Sequence, residues 1–168
     1  MNNSELETLI RNILREQLAP ATQRAQRNAI FQTVDEAVCA ALQAFLRFQQ
    51  CPLKTRSAII SAIREELMPR LTELAEESAK ETGMGNKEDK YLKNKAALDN
   101  TPGIEDLTTT ALTGDGGMVL FEYSPFGVIG SVTPSTNPTE TIINNSISML
   151  AAGNSVYFSP HPGAKNVS

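Results

Sequence analysis

An α/β fold is what the sequence predicts, and three observations predict it. Stretches between Thr33 and Thr82 repeat apolar residues at helical spacing. A GDGG turn at Gly114–Gly117 sits between apolar, strand-like runs, which is the pattern of a hairpin. Residues Gly127–Phe158 read as strand, loop, helix, strand. That order is a βαβ unit, with parallel strands and a right-handed crossover.

Composition narrows the class. The 168 residues are 40% apolar and suit one globular domain. The net charge is -4 and no Lys/Arg-rich run occurs, so nucleic acid and anionic membrane are not expected partners. No apolar run reaches the ~18 residues of a membrane span, and no signal-peptide pattern opens the chain. A cytoplasmic location is expected. The one histidine, His161, rules out a His-rich metal site, and no metal is expected. Cys39 and Cys51 make no disulfide framework and read as structural filler.

The elements follow in order. In MNNSELETLIRNILREQL, Ser4 and Glu7 fit a capping box. Leu6, Leu9, Ile10, Ile13, Leu14 and Leu18 form one apolar stripe opposite a charged face. Residues 1–18 therefore predict an amphipathic helix, and residues 19–29, APATQRAQRNA, a linker. A helix packed at once on its own domain needs no such spacer, so docking on another protein is the favoured reading over a first core helix. Isolated helices of this length are marginal in water and order on binding.

The body is expected over residues 30–168. Thr33–Gln50 predicts a helix with Val34, Ala37, Val38, Ala41, Leu42, Phe45 and Leu46 inward. Lys54–Met68 predicts a second, with Ala58, Ile59, Ala62, Ile63 and Leu67 inward, interrupted by Pro69. Leu71–Thr82 is a third, closed by Gly83 as a left-handed cap. Asn86–Asn100 is polar and mixed in charge and predicts an exposed helix. Leu112–Gly117 and Met118–Tyr123 predict the hairpin. Gly127–Val132 reads as a buried strand, Pro138–Ala152 as a helix closed by Gly153, and Ser155–Phe158 as a second strand. One βαβ unit cannot cover both faces of its two strands. The chain is therefore expected to be the N-terminal part of a larger open sheet.

Ligands in open α/β sheets bind outside the carboxyl ends of the strands. That places candidate contacts at Thr133, Pro134, Ser135, Thr136 and Asn137. Asn137 has two readings, as helix cap and as donor to a developing oxyanion. Pro138 suits the first helical position. Glu140, one turn in, would repel a phosphate at that helix end. His161, in SPHPG after the second strand, is either structural or a contact to a ribose or phosphate.

SPFGVIGSVTPSTNPTETIINNSISMLAAGNSVYFSPHPGAK resembles the start of the nucleotide-binding domain of the aldehyde dehydrogenase superfamily. With EESAKETGMGNKEDKYLKNKAALDNTPGIEDL it is similar to the CoA-acylating aldehyde dehydrogenases of bacterial microcompartments. Together with the first eighteen residues, the likeness is nearest to their propionaldehyde branch from propanediol utilisation, with the acetaldehyde branch as the alternative. The resemblance implies a variant Rossmann sheet without the Gly-x-Gly-x-x-Gly fingerprint, which is indeed missing here. It implies that the whole protein is a homo-oligomer that converts an aldehyde, NAD and CoA to an acyl-CoA and NADH through a cysteine thiolate. It places that cysteine beyond Ser168, so this chain alone is expected to be inactive. In hydrolytic relatives the oxyanion asparagine aligns with Thr136 and a ribose-binding lysine with Ser159. The resemblance further implies that residues 1–18 are an encapsulation peptide, docking on a shell or cargo protein in the microcompartment lumen.

Overall fold

The computed structural model describes residues Ala29–Ser168. The predicted helix over residues 1–18, with its stripe from Leu6 to Leu18, and nearly all of the linker lie outside the described residues.

The chain opens with α1 (Val34–Phe48), capped by the Thr33 hydroxyl, which accepts from the Glu36 N–H. The break at Cys51–Pro52 separates it from α2 (Leu53–Leu67). A 3-10 turn at Met68–Arg70 carries Pro69 and leads into α3 (Leu71–Thr82). Gly83 closes α3 at φ 64°, a left-handed conformation in which a side chain would be strained. Asn86 caps α4 (Lys87–Asn100) by accepting from the Asp89 N–H.

Two sheets follow. β1 (Thr110–Gly114) and β2 (Gly117–Phe121) pair antiparallel across an Asp115–Gly116 turn. β3 (Val128–Thr133) and β4 (Ser155–Pro160) pair parallel, from Val128↔Ser155 to Thr133↔Pro160. α5 (Pro138–Ala151) crosses between them. The helices, the hairpin and the βαβ unit thus lie where the sequence puts them, with strand ends moved by a few residues. β4 extends past Phe158 because His161 N–H still donates to the Thr133 carbonyl, which prolongs the ladder.

One core joins the helices. Ile60, Leu71, Leu98, Ile143, Ile147 and Ala151 are buried together, with Ile63, Leu67, Tyr91, Ala97 and Ile104 at its edge. α1 meets the starts of both parallel strands through small residues. Ala37 and Ala41 are buried, and the Ser155 hydroxyl donates to the Ala41 carbonyl at 2.7 Å.

Four expectations about burial are corrected. On α1, Val34 and Leu46 are exposed. Leu46 lies roughly 140° round the helix from Ala41, at about 100° per residue. Val34 sits in the first turn, where the described residues place nothing over it. On α2, Ala58 and Ala62 are exposed and Ile60 is buried. Ala58 and Ala62 lie about 160° from Ile60, on the opposite side. The true inner face is flanked by Arg56 and Arg64, whose guanidinium groups donate to the Ala151 and Thr101 carbonyls at the ends of α5 and α4. Cations belong at such carboxyl ends, where carbonyls lack helical partners.

On α4, the predicted exposed helix instead buries Lys90, Asn94 and Leu98, one turn apart. Lastly, β3 is not buried on both faces. Ser131 and Thr133 are covered by α5, while Val132 on the other face is 82% exposed. The Asn145 amide reaches down from α5 to the Ser131 hydroxyl at 2.9 Å.

Candidate functional site

The candidate site is the edge where β3 and β4 end. Their pairing carries Thr133 beside Pro160, and the His161 N–H donates to the Thr133 carbonyl at 3.0 Å. The Pro134–Asn137 loop and the His161 loop therefore leave one edge side by side. Thr133 is buried and its hydroxyl has no partner among the described residues. Pro134 and Thr136 are exposed, Ser135 half-buried, and Ser159 exposed at the end of β4. The His161 Nδ1 accepts from the Gly163 N–H at 3.0 Å, closing the 3-10 turn Pro162–Ala164. That fixes the ring proton on Nε2, which alone is left to face a ligand.

Asn137 decides how the loop reads. It precedes α5, with Pro138 at the first helical position, yet its side chain makes no capping bond. Its Oδ1 instead accepts from Lys93 Nζ at 3.2 Å. Its carbonyl receives the Thr141 N–H and the Thr141 hydroxyl, so the backbone closes the first turn without its amide. The capping reading is overturned, and Nδ2 is left as a donor.

α4 holds this loop and the first turn of α5 at three points. Lys90, only 3% exposed, donates to the Thr136 carbonyl at 2.9 Å. Lys93 takes Asn137. Asn94, fully buried, lies 2.7 Å from the Thr139 hydroxyl, which also lies 3.1 Å from a Glu140 carboxylate oxygen. One hydroxyl proton cannot serve two acceptors. Turning the Asn94 amide so that Nδ2 faces Thr139 resolves this. It partners an otherwise orphaned Nδ2 and frees the hydroxyl proton for Glu140. Sequence reasoning missed Lys90, Lys93, Asn94 and Thr139. The signal was present in Lys90, Asn94 and Leu98 at i, i+4, i+8, a single helical face whose polar members disguised it.

Pro138 removes one of the amide donors that such a helix end offers an anion, while Lys90 and Lys93 bring two side-chain cations to the loop beside the buried Glu140. The loop offers hydroxyls, an amide N–H pair and an imidazole N–H.

The aldehyde dehydrogenase family model matches residues 15–168. The chain belongs to that family. The chain is 84% identical to the CoA-propanoylating propanal dehydrogenase of Citrobacter freundii, over all of its own length and 36% of that protein. Among solved structures it is similar to propionaldehyde dehydrogenase of Rhodopseudomonas palustris with bound CoA and an acylated cysteine. That match has 53% identity and TM-score 0.81, over 83% of this chain and 32% of that one. It is similar also to a propionaldehyde dehydrogenase from the Clostridium phytofermentans fucose utilisation bacterial microcompartment, at 48% identity and TM-score 0.80, over 83% and 32%. The chain spans about a third of the length of the curated relatives it matches. The family resemblance read from residues 76–107 and 124–165 agrees with these matches. Cys39 and Cys51 are free and lie on α1 and at the α1–α2 break, outside the loops of the candidate edge.

Proposed function

We propose that these residues form the amino-terminal part of a CoA-acylating aldehyde dehydrogenase that turns propanal, NAD and CoA into propanoyl-CoA and NADH. The single observation that carries the site is the Asn137 amide, released from capping and pinned through its oxygen. When bound, NAD supplies the hydride acceptor and CoA the thiol that takes the acyl group. The chain's own residues do the rest of what is proposed here. Asn137 Nδ2 donates to the aldehyde oxygen as negative charge develops on it. Thr133, Ser135, Thr136, Ser159 and the His161 Nε2–H offer polar contacts to the neutral sugar or carboxamide part of the coenzyme. Pro134 stiffens the loop. The attacking thiolate comes from sequence beyond these 168 residues, because neither Cys39 nor Cys51 is on this edge. The Citrobacter freundii and Rhodopseudomonas palustris names favour propanal over acetaldehyde as substrate.

In this reading residues 1–18 are an encapsulation peptide for a microcompartment shell or cargo protein, residues 19–29 a linker, and residues 30–168 part of the NAD-binding domain. The Clostridium phytofermentans relative supports a microcompartment setting. The exposed apolar hairpin supports a homo-oligomeric whole protein.

A chimera tests the chemistry. The matched segment of the Citrobacter freundii enzyme is replaced by these 168 residues, and NADH formation from propanal, NAD and CoA is followed. The chimera should be active, and residues 1–168 alone should form no NADH. Asn137→Ala in the chimera should lower kcat by about 10²–10³, the usual loss for one oxyanion donor. Unchanged kcat would remove Asn137 from the reaction.

A further inference from the structure

We propose that Lys93 is a positioning residue, acting on the reaction through Asn137. This rests on the reading of Asn137 as an oxyanion donor. An amide that donates from Nδ2 must keep its oxygen turned away, and in this fold nothing in the helix start does so, because the side chain does not cap α5. Lys93 does it. Its ammonium holds Oδ1 at 3.2 Å, which fixes which end of the amide faces outward. A cation on the oxygen also draws electron density from the nitrogen and strengthens Nδ2–H as a donor.

The lysine itself is aimed by its neighbours. Lys90, one turn before and buried, holds the Thr136 carbonyl, and Asn94 holds Thr139. α4 therefore cannot slide along the loop without breaking these buried contacts. The helix fixes the Lys93 backbone beside the loop, and from there the exposed side chain reaches Asn137. Lys93 bonds no ion-pair partner among the described salt bridges, so removing it leaves no orphaned carboxylate.

The role differs from structural support in three ways. Loss of Lys93 should lower kcat with little change in KM, since the donor meets its full charge only in the transition state. Arginine, which keeps a cation and its donors, should rescue. The effect should also vanish when Asn137 is gone, because residues acting through one another are not additive.

The experiment is a double-mutant cycle in the chimera, with KM and kcat measured for propanal, NAD and CoA. Expected are a loss in kcat of about tenfold for Lys93→Met with KM changed less than about twofold, and recovery to within about threefold in Lys93→Arg. The pair Lys93→Met with Asn137→Ala should be no slower than Asn137→Ala alone. Losses that multiply in the double variant, or full activity in Lys93→Met beside a damaged Asn137→Ala, overturn the role of Lys93 and leave Asn137 standing. Full activity in Asn137→Ala overturns both.

Discussion

Among the described residues there are two two-stranded sheets, and one of them is packed under helices while the other is not. In the hairpin every residue of β1 and β2 is exposed, including Leu112, Val119, Leu120 and Phe121. In the βαβ unit, α5 covers Ser131 and Thr133, and α1 reaches Ser155. The strands are similar in length. The difference lies in what crosses to them. A lone hairpin is marginal in water, whereas strands packed under helices share a cooperative core. The candidate loop grows from the held sheet, which is where a fixed geometry is available.

The sharpest test of this contrast deletes core volume under the held sheet. Leu98 is fully buried beside Ile143 and Ile147. Leu98→Ala should cost about 2–5 kcal/mol, read from the urea midpoint of residues 1–168. A cost under about 1 kcal/mol would show that the helical core is not cooperative with α5.

An intermediate effect is expected at Glu81, at the carboxyl end of α3. Its carboxylate accepts from the Asn166 and Val167 N–H groups and from the Asn166 amide, at 2.8–3.0 Å. The Asn166 backbone bond is the main cause that lowers its pKa below the ordinary 4.5, with Val167, the Asn166 amide and Lys165 adding to it. A carboxylate with a lowered folded pKa contributes stability above its unfolded value, and that contribution fades as acid protonates it. Protection of the Asn166 and Val167 amides, taken relative to the intrinsic exchange rate at each pH, should thus fall as the pH drops below about 4.5, before the Leu98 region loosens. Simultaneous loss at both places would mean that the final turn has no separate latch.

The smallest effect belongs to the hairpin. Leu120→Thr should move the midpoint by no more than about 0.5 kcal/mol, because an exposed side chain has little burial to lose. A larger change would show that the hairpin folds against the rest of this chain.

Element positions were legible because they rest on local rules. Gly83 as a left-handed cap, Asn86 and Thr33 as helix starts, the Asp115–Gly116 turn and the βαβ order all follow from residue type and spacing. The phase of α2 and the role of α4 were not legible. Pattern reading places Arg56, Arg64, Lys90 and Asn94 in water, since charged side chains are seldom buried. Here each meets a carbonyl or hydroxyl supplied by a segment 37 to 95 residues away, which no local window contains. The same blindness hid the state of Asn137. Residue type made it a good cap, and only the approach of Lys93 from α4 shows that it is not one. The loop's place at the strand ends was foreseen; its fastening was not.

The Ser155 hydroxyl that reaches the Ala41 carbonyl joins residues 114 positions apart. On a ribosome adding about 5–20 residues per second, α1 emerges about 6–23 seconds before its strand partner exists. Until β3 follows, its alanine ridge has neither of the two strands it packs against. Early synthesis of this protein is thus a period of waiting, during which chaperones have their opportunity and mispairing has its risk.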